Sequence, residues 1–271
     1  MSENSNDKKF RIEYQRINTR DLIPHPIAQR EFNQRHGDKL ARAFKWDLFD
    51  PVSVSFRNGK YWVIDGQHRL YAIRKNAGGK DVVVLCRVFY GMTELDEAEY
   101  FLKKGVVDRP LTVADNFQVE YKIGEENVVN MVRGAEMAGW VVDFKTKKMR
   151  DRITSLRALR DCFDALDYEQ YVNMLRTLKQ AWDGDTDAVG APILKGMAVF
   201  FRTYYGRFDA ADLVKRLQRV SPKMILRDGQ ALRTSTTGWN VKSLAYGRPY
   251  ARAILNVYNV KRTSKRLEDV L

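Results

Sequence analysis

The sequence predicts an α+β protein in two parts: a small sheet-containing domain over residues 10–110 and a mostly helical, basic domain over 111–271, behind a disordered tail at 1–9. Three observations predict it. Up to about residue 110, short runs of alternating apolar and polar residues are separated by turn-forming pairs, the mark of strands. Beyond that point apolar residues recur every three or four positions, the mark of amphipathic helices. Charge is also divided, since residues 1–143 carry 22 Lys and Arg against 21 Asp and Glu, whereas 144–271 carry 25 against 13. Nearly all of the net charge of +13 therefore sits in the second half. Basic charge so placed fits a polyanion, because Lys and Arg release the counterions condensed on phosphates. Its other reading is a solvated, solubilising face.

Composition narrows the class. A chain of 271 residues suffices for two units, and 44% hydrophobic residues with 13 Phe, 13 Tyr and 5 Trp can build their cores. The opening MSENSNDKKF lacks the apolar stretch of a signal peptide, and no run approaches the roughly 18 apolar residues of a membrane span. The expectation is a cytoplasmic protein that meets no membrane. Cys86 and Cys162 lie in apolar periodic segments without zinc or disulfide spacing, so both are expected to pack as small apolar groups.

Element by element, Phe10, Ile12 and Tyr14 alternate with polar neighbours and predict a strand that enters a turn bracketed by Pro24 and Pro26. Leu40, Ala43, Phe44 and Leu48 have helical spacing and predict a short helix. Strands at 52–56 and 61–64 flank Asn58-Gly59, a pair that accepts the positive φ values of a tight hairpin. A helix over 67–76 stops at Gly78-Gly79, and DVVVLCRVFYG reads as a buried strand. Thr93 then caps a helix with an acidic first turn. Helices follow at 112–122, 125–138, 153–166, 168–182, 190–205 and 209–220, with one extended piece, WVVDF, among them. Residues 221–247 read as a basic loop, and RPYARAILNVYNVKR as a final helix.

The stretch YWVIDGQHRLYAIR at 61–74 carries the candidate site. A helix start leaves its first N–H groups without intrahelical partners and concentrates partial positive charge, so oxyanions bind there. Gly66 lets a ligand approach the backbone, and Arg69 offers a planar fork of donors to phosphate oxygens. Asp65 is a candidate helix cap or metal ligand, His68 a phosphate donor or proton carrier, and Gln67 a hydrogen-bonding group. An Asp-Gly junction with polar first-turn residues also forms without any ligand. One glycine makes neither a Walker loop nor a dinucleotide fingerprint.

The string Asp65-Gly66-Gln67-His68-Arg69, with Ala72 completing a Gly-x-x-Arg-x-x-Ala spacing, resembles the DGQHR form of the phosphate-binding motif in the ParB/sulfiredoxin superfamily. INTRDLIPHPIAQREF resembles the segment ending in that family's Gln-Pro-Arg-like element, here Gln29-Arg30, and LFDPVSVSF resembles the segment that meets the nucleotide base, with Asp50, Pro51 and Val52 in matching places. The resemblance covers residues 10 to 110, and the whole layout is similar to phage-borne ParB-like proteins. It implies a small mixed sheet and a nucleoside triphosphate, CTP or ATP, accompanied by Mg²⁺. Gly66, Gln67, His68, Arg69, Arg30 and Asp50 would then bind the nucleotide. Chromosome-partitioning relatives carry a Glu-Asn-x-x-Arg element where this chain has Lys103 and Lys104. Those lysines remove a metal carboxylate and add cations for phosphate; the alternative is an exposed helix face.

In the second half, Lys147, Lys148, Arg150 and Arg152 form one cluster and Arg248, Arg252, Lys261 and Arg262 another, interleaved with Tyr246, Tyr250 and Tyr258. All eight basic residues are candidate DNA contacts. Asp183, Asp185 and Asp187 mimic a calcium loop, but the Gly is misplaced and the closing Glu is missing. The leading expectation is a nucleotide-binding protein that binds DNA, with the nucleotide as switch and a homodimer as one assembly. The competing one is a hydrolase, phosphotransferase or nuclease: Asp65 orients metal, His68 or Glu31 handles a proton, and Arg30 with Arg69 stabilises phosphoryl charge. A scaffold with a vestigial pocket is the third.

Overall fold

The computed structural model describes residues 10–29, 32–107, 112–144, 149–234 and 244–271. Five strands form one mixed sheet: β1 (Arg11–Asn18), β2 (Leu22–Pro24), β3 (Val52–Arg57), β4 (Lys60–Asp65) and β5 (Val83–Tyr90), in the order β1-β5-β3-β4-β2. β1 runs antiparallel to β5 and β3 to β4, while β3–β5 and β2–β4 are parallel. The hairpin between β3 and β4 turns on Asn58 at φ 52° and Gly59 at φ 72°, the two positive angles that match the twist of the flanking strands. Alternation then sorts the side chains. Val52, Val54, Val63, Val84, Cys86 and Val88 are buried on one face, where Leu70 and Ile73 of the helix α2 (Gln67–Asn76) join them.

The expected short helix is present as α1 (Gln34–Arg42), but it ends before Ala43, Phe44 and Leu48. The Asn33 side chain caps it by accepting from the His36 amide at 3.0 Å. Phe44 leaves the helix to pack on Trp46 and Phe49, so its apolar spacing reports a loop tucked against the core. On the opposite face of the sheet, Ile64 and Phe89 pack with Met92 just before α3 (Glu94–Val107). Thr93 and Asp96 cap α3 reciprocally.

The chain divides into two compact units, Met1–Ile123 and Gly124–Leu271, later than the expected boundary at 110. The reason is α4 (Val113–Lys122), whose Val119 packs with Ala28, Ala98 and Phe101 of the first unit. The second unit is nearly all helical: α5 (Glu126–Met137), α6 (Leu156–Ala165), α7 (Tyr168–Ala181), α8 (Ala191–Tyr204), α9 (Ala210–Leu217), α10 (Pro222–Thr234) and α11 (Arg248–Asn259). WVVDF supplies β6 (Val141–Val142), which pairs with β7 (Arg152–Ile153) in parallel. Ile153 is therefore a buried strand residue, and α6 starts three positions after the expected 153.

The largest departure is α10, where the sequence reads as a loop. Asp228-Gly229 resembles a turn, yet Gly229 is a packing residue: a Cβ there would lie 2.3 Å from the Tyr250 ring of α11. A small residue lets the two helices approach closely. Among the described residues, no helix is long and apolar enough to cross a membrane. Cys86 and Cys162 are free and buried, and burial pushes both thiols up, Cys86 to about 12.

Candidate functional site

The β3–β4 register shifts between Ser53 and Val54, so that Asp65 opposes Ser53 while Val63 opposes Val54. Such a bulge re-aims the strand end, and the chain passes into Gly66 at φ 100°, a left-handed conformation that favours glycine. α2 begins at the next residue with no side-chain cap. Asp65, a cap candidate, does not cap. Its Oδ2 instead accepts from Arg69 Nη2 at 2.5 Å and lies 3.1 Å from Lys104 Nζ.

Arg69 is thus bent back over the turn it follows. A Cβ on Gly66 would sit 3.1–3.3 Å from three atoms of the Arg69 guanidinium and press on it, while the φ of 100° is what favours glycine there. The other terminal nitrogen of Arg69 donates to the carbonyls of Asp50 and Pro51 at 2.9 and 3.2 Å. Asp50 therefore reaches the site through its backbone, and Arg69 ties the entry of β3 to the start of α2. The fork expected to face a ligand is engaged by the protein's own oxygens in this arrangement.

The remaining site residues fall on both sides of Arg69. His68 accepts the Asn33 amide on Nε2 at 3.0 Å, stacks on Phe32 with ring centres 5.0 Å apart and meets the edge of His36 at 4.9 Å. Its Nε2 is thereby a hydrogen-bond acceptor that fixes the start of α1. Among the described residues, Gln67 Oε1 is buried without a hydrogen-bond partner. Lys104 joins the site, whereas Lys103, with 81% of its side chain exposed, pairs with Glu99 one helical turn away. Gln29 donates to the Val63 carbonyl and holds the loop after β2 against β4. Arg30 and Glu31 lie outside the described residues, as do Lys147 and Lys148. Asp65, the candidate metal ligand, offers its Oδ2 to two cations, and no group of three or more metal-ligating side chains occurs among the described residues.

Sequence reasoning missed a second polar cluster. His25 Nε2 lies 2.7 Å from Glu97 Oε2, and both side chains are 0% exposed. The His25 Nδ1 accepts the amides of Ile27 and Ala28 at 3.0 and 2.7 Å, which assigns the ring proton to Nε2 and makes it the donor to Glu97. Arg57 grips the same carboxylate with two bonds of 3.1 Å. Burial pushes the Glu97 carboxyl up, but hydrogen bonds from His25 and Arg57 outweigh it and leave the pKa lowered. The signal was present: Glu97 stands four residues before the buried Phe101, a carboxylate on an apolar helix stripe.

Of the basic residues expected to meet DNA, Arg150, Arg248 and Lys261 are exposed. Arg152 is paired with Asp143 at 2.8 Å, Arg252 with Asp269 at 2.7 Å and Arg262 with Asp212. Tyr250 and Tyr258 are buried, so they belong to the core and are not stacking platforms.

The comparison with curated proteins gave no match. Over residues 23–268 the chain matches a family described as a family of unknown function, DUF6551. That span runs from within β2 to beyond α11 and takes in both units. The chain belongs to this family of unknown function.

Proposed function

We propose that the chain binds a nucleotide phosphate at the head of α2 and duplex DNA through its second unit, with the nucleotide altering affinity for DNA. The observation that carries this reading is the convergence of Arg69 and Lys104 on one oxygen of Asp65, beside a helix start without a side-chain cap. Asp65 acts there as an internal stand-in for a phosphate. Because 35% of its side chain is exposed, each of its ion pairs is worth about 0–1 kcal/mol. A phosphate bearing more charge and more acceptor oxygens can displace it at little cost. Gln67 Oε1, unpaired among the described residues, supports a ligand that also carries a donor, as a base amino group does. The resemblance to ParB/sulfiredoxin proteins supports CTP or ATP. For DNA, the support is the charge balance at the observed boundary: 26 Lys and Arg against 17 Asp and Glu in residues 124–271, compared with 21 against 17 in 1–123.

Calorimetric titration of the full chain with CTP, ATP and pyrophosphate, with and without Mg²⁺, tests the first part. Binding of one triphosphate that disappears in Arg69→Ala is the expected result. If the unaltered protein binds none of them, the reading falls. Product release in the same samples would replace a binding protein with a nucleotide hydrolase.

A further inference from the structure

We propose that α9, the turn after it and α10 form the surface on which the second unit takes the backbone of duplex DNA; this deepens the DNA part of the function proposed above and rests on it. The arginines of the C-terminal cluster are largely engaged within the fold. Arg252 pairs with Asp269 and donates to the Leu271 carbonyl at 2.7 Å, and Arg262 binds Asp212 while lying 4.1 Å over the Tyr258 ring. Contact with phosphate would first have to break these ties.

Four other cations are placed differently. Lys215, Arg219, Lys223 and Arg227 are all exposed. The first three take part in no ion pair among the described residues, and Arg227 pairs with its chain neighbour Asp228 at 2.9 Å. Asp212, the acid on the same stretch, is already held by Arg216 at 2.9 Å and by Arg262. Within each of the two stretches, Lys215 with Arg219 and Lys223 with Arg227, the cations stand four positions apart, the spacing that places side chains on one helix face. Backbone bonds from Gln218 to Val214 at 2.9 Å and from Arg219 to Arg216 at 3.1 Å carry the helical path past Leu217, so Arg219 follows Lys215. Lys223 and Arg227 form the corresponding pair on α10.

The turn that joins the two pairs is held from beneath. Buried Trp182, at the end of α7, donates its indole N–H to the carbonyls of Leu217 and Val220 at 2.9 and 2.8 Å. Gln218 reaches the Gln180 carbonyl at 2.9 Å. Ile225 and Gly229 seat α10 in the core, Gly229 against Tyr250. The cations therefore stand on a fixed frame, which lowers the ordering cost of binding. Four exposed cations spread over two adjoining helices match several phosphates better than a single small anion, and duplex DNA presents phosphates in succession.

The test is binding of a fluorescent 20-base-pair duplex of arbitrary sequence to the full chain at several salt concentrations. The triple variant Lys215→Ala, Arg219→Ala, Lys223→Ala is expected to lessen the slope of log affinity against log salt by about one per lost contact, with an unchanged thermal melt. Arg133→Ala, Arg202→Ala, Arg207→Ala removes equal charge from other exposed positions and is expected to leave the slope within one of the unaltered protein. Equal loss in both triples would mean that total charge alone matters and would overturn the surface. So would a loss confined to Arg150→Ala, Arg248→Ala, Lys261→Ala, or tighter binding of single-stranded RNA than of the duplex. If the unaltered protein fails to bind duplex at low salt, the DNA reading itself falls, and this surface with it.

Discussion

Two carboxylate clusters in the first unit use the same chemistry in opposite settings. Glu97 is fully buried and satisfied by His25 and Arg57, while Asp65 is partly exposed and shared by Arg69 and Lys104. Inside, solvent cannot replace a lost partner, so the three groups stand or fall together and clamp the loop after β2 to α3. At the head of α2, water can take Asp65's place, and under the proposed function so can an incoming anion. Burial, not the identity of the side chains, separates a structural ion cluster from an exchangeable one.

Removing one member of each cluster would break the comparison if the two responded alike. Glu97→Ala leaves Arg57 and His25 without their acceptor and is expected to cost about 3–5 kcal/mol in denaturant unfolding; a loss below about 1 kcal/mol would place Glu97 with Asp65 as a dispensable charge. The pH dependence sharpens the point. The folded pKa of Glu97 is lowered from 4.5, so its contribution is present above pH 4.5 and is lost as pH falls through the depressed folded value. In Glu97→Gln that acid-sensitive component should be missing, which stability curves below pH 4.5 will show.

At the other cluster the effects are smaller on stability and larger on binding. Arg69→Ala removes two bonds to backbone carbonyls and is expected to cost about 1–2 kcal/mol, with loss of triphosphate binding by calorimetry. The smallest expected change in stability, under about 1 kcal/mol, belongs to Asp65→Asn. That variant frees Arg69 and Lys104, so pyrophosphate should bind roughly threefold to tenfold more tightly. Weaker binding instead would make Asp65 a contributor to the ligand site and end its role as a stand-in.

Much of the first unit was legible because its signals are local. The hairpin followed from Asn58-Gly59, the span of α2 from the glycines that bound it, and the cap of α3 from Thr93. The failures share another cause. Phe44 and Ile153 have helical spacing yet lie in a loop and a strand, because apolar periodicity reports burial and not the route by which a side chain reaches the core. The helix α10 read as part of a basic loop, and the reason for its Gly229, Tyr250, lies 21 positions away.

By itself the sequence determined the class of fold and the order of most elements, since these depend on φ preferences, caps and spacing within a few residues, and it marked the strand–helix junction at Gly66 that is proposed as the anion site. Only the tertiary structure decided which charges meet. Lys103 and Lys104 are neighbours in the chain, but successive helix positions diverge by about 100°, so one faces solvent and the other Asp65. Likewise the fold brought Asp269 and Asp212 to Arg252 and Arg262, whereas among the described residues no acid pairs with Lys215 or Arg219. An ion pair depends on distance in space, which no local rule of the chain encodes.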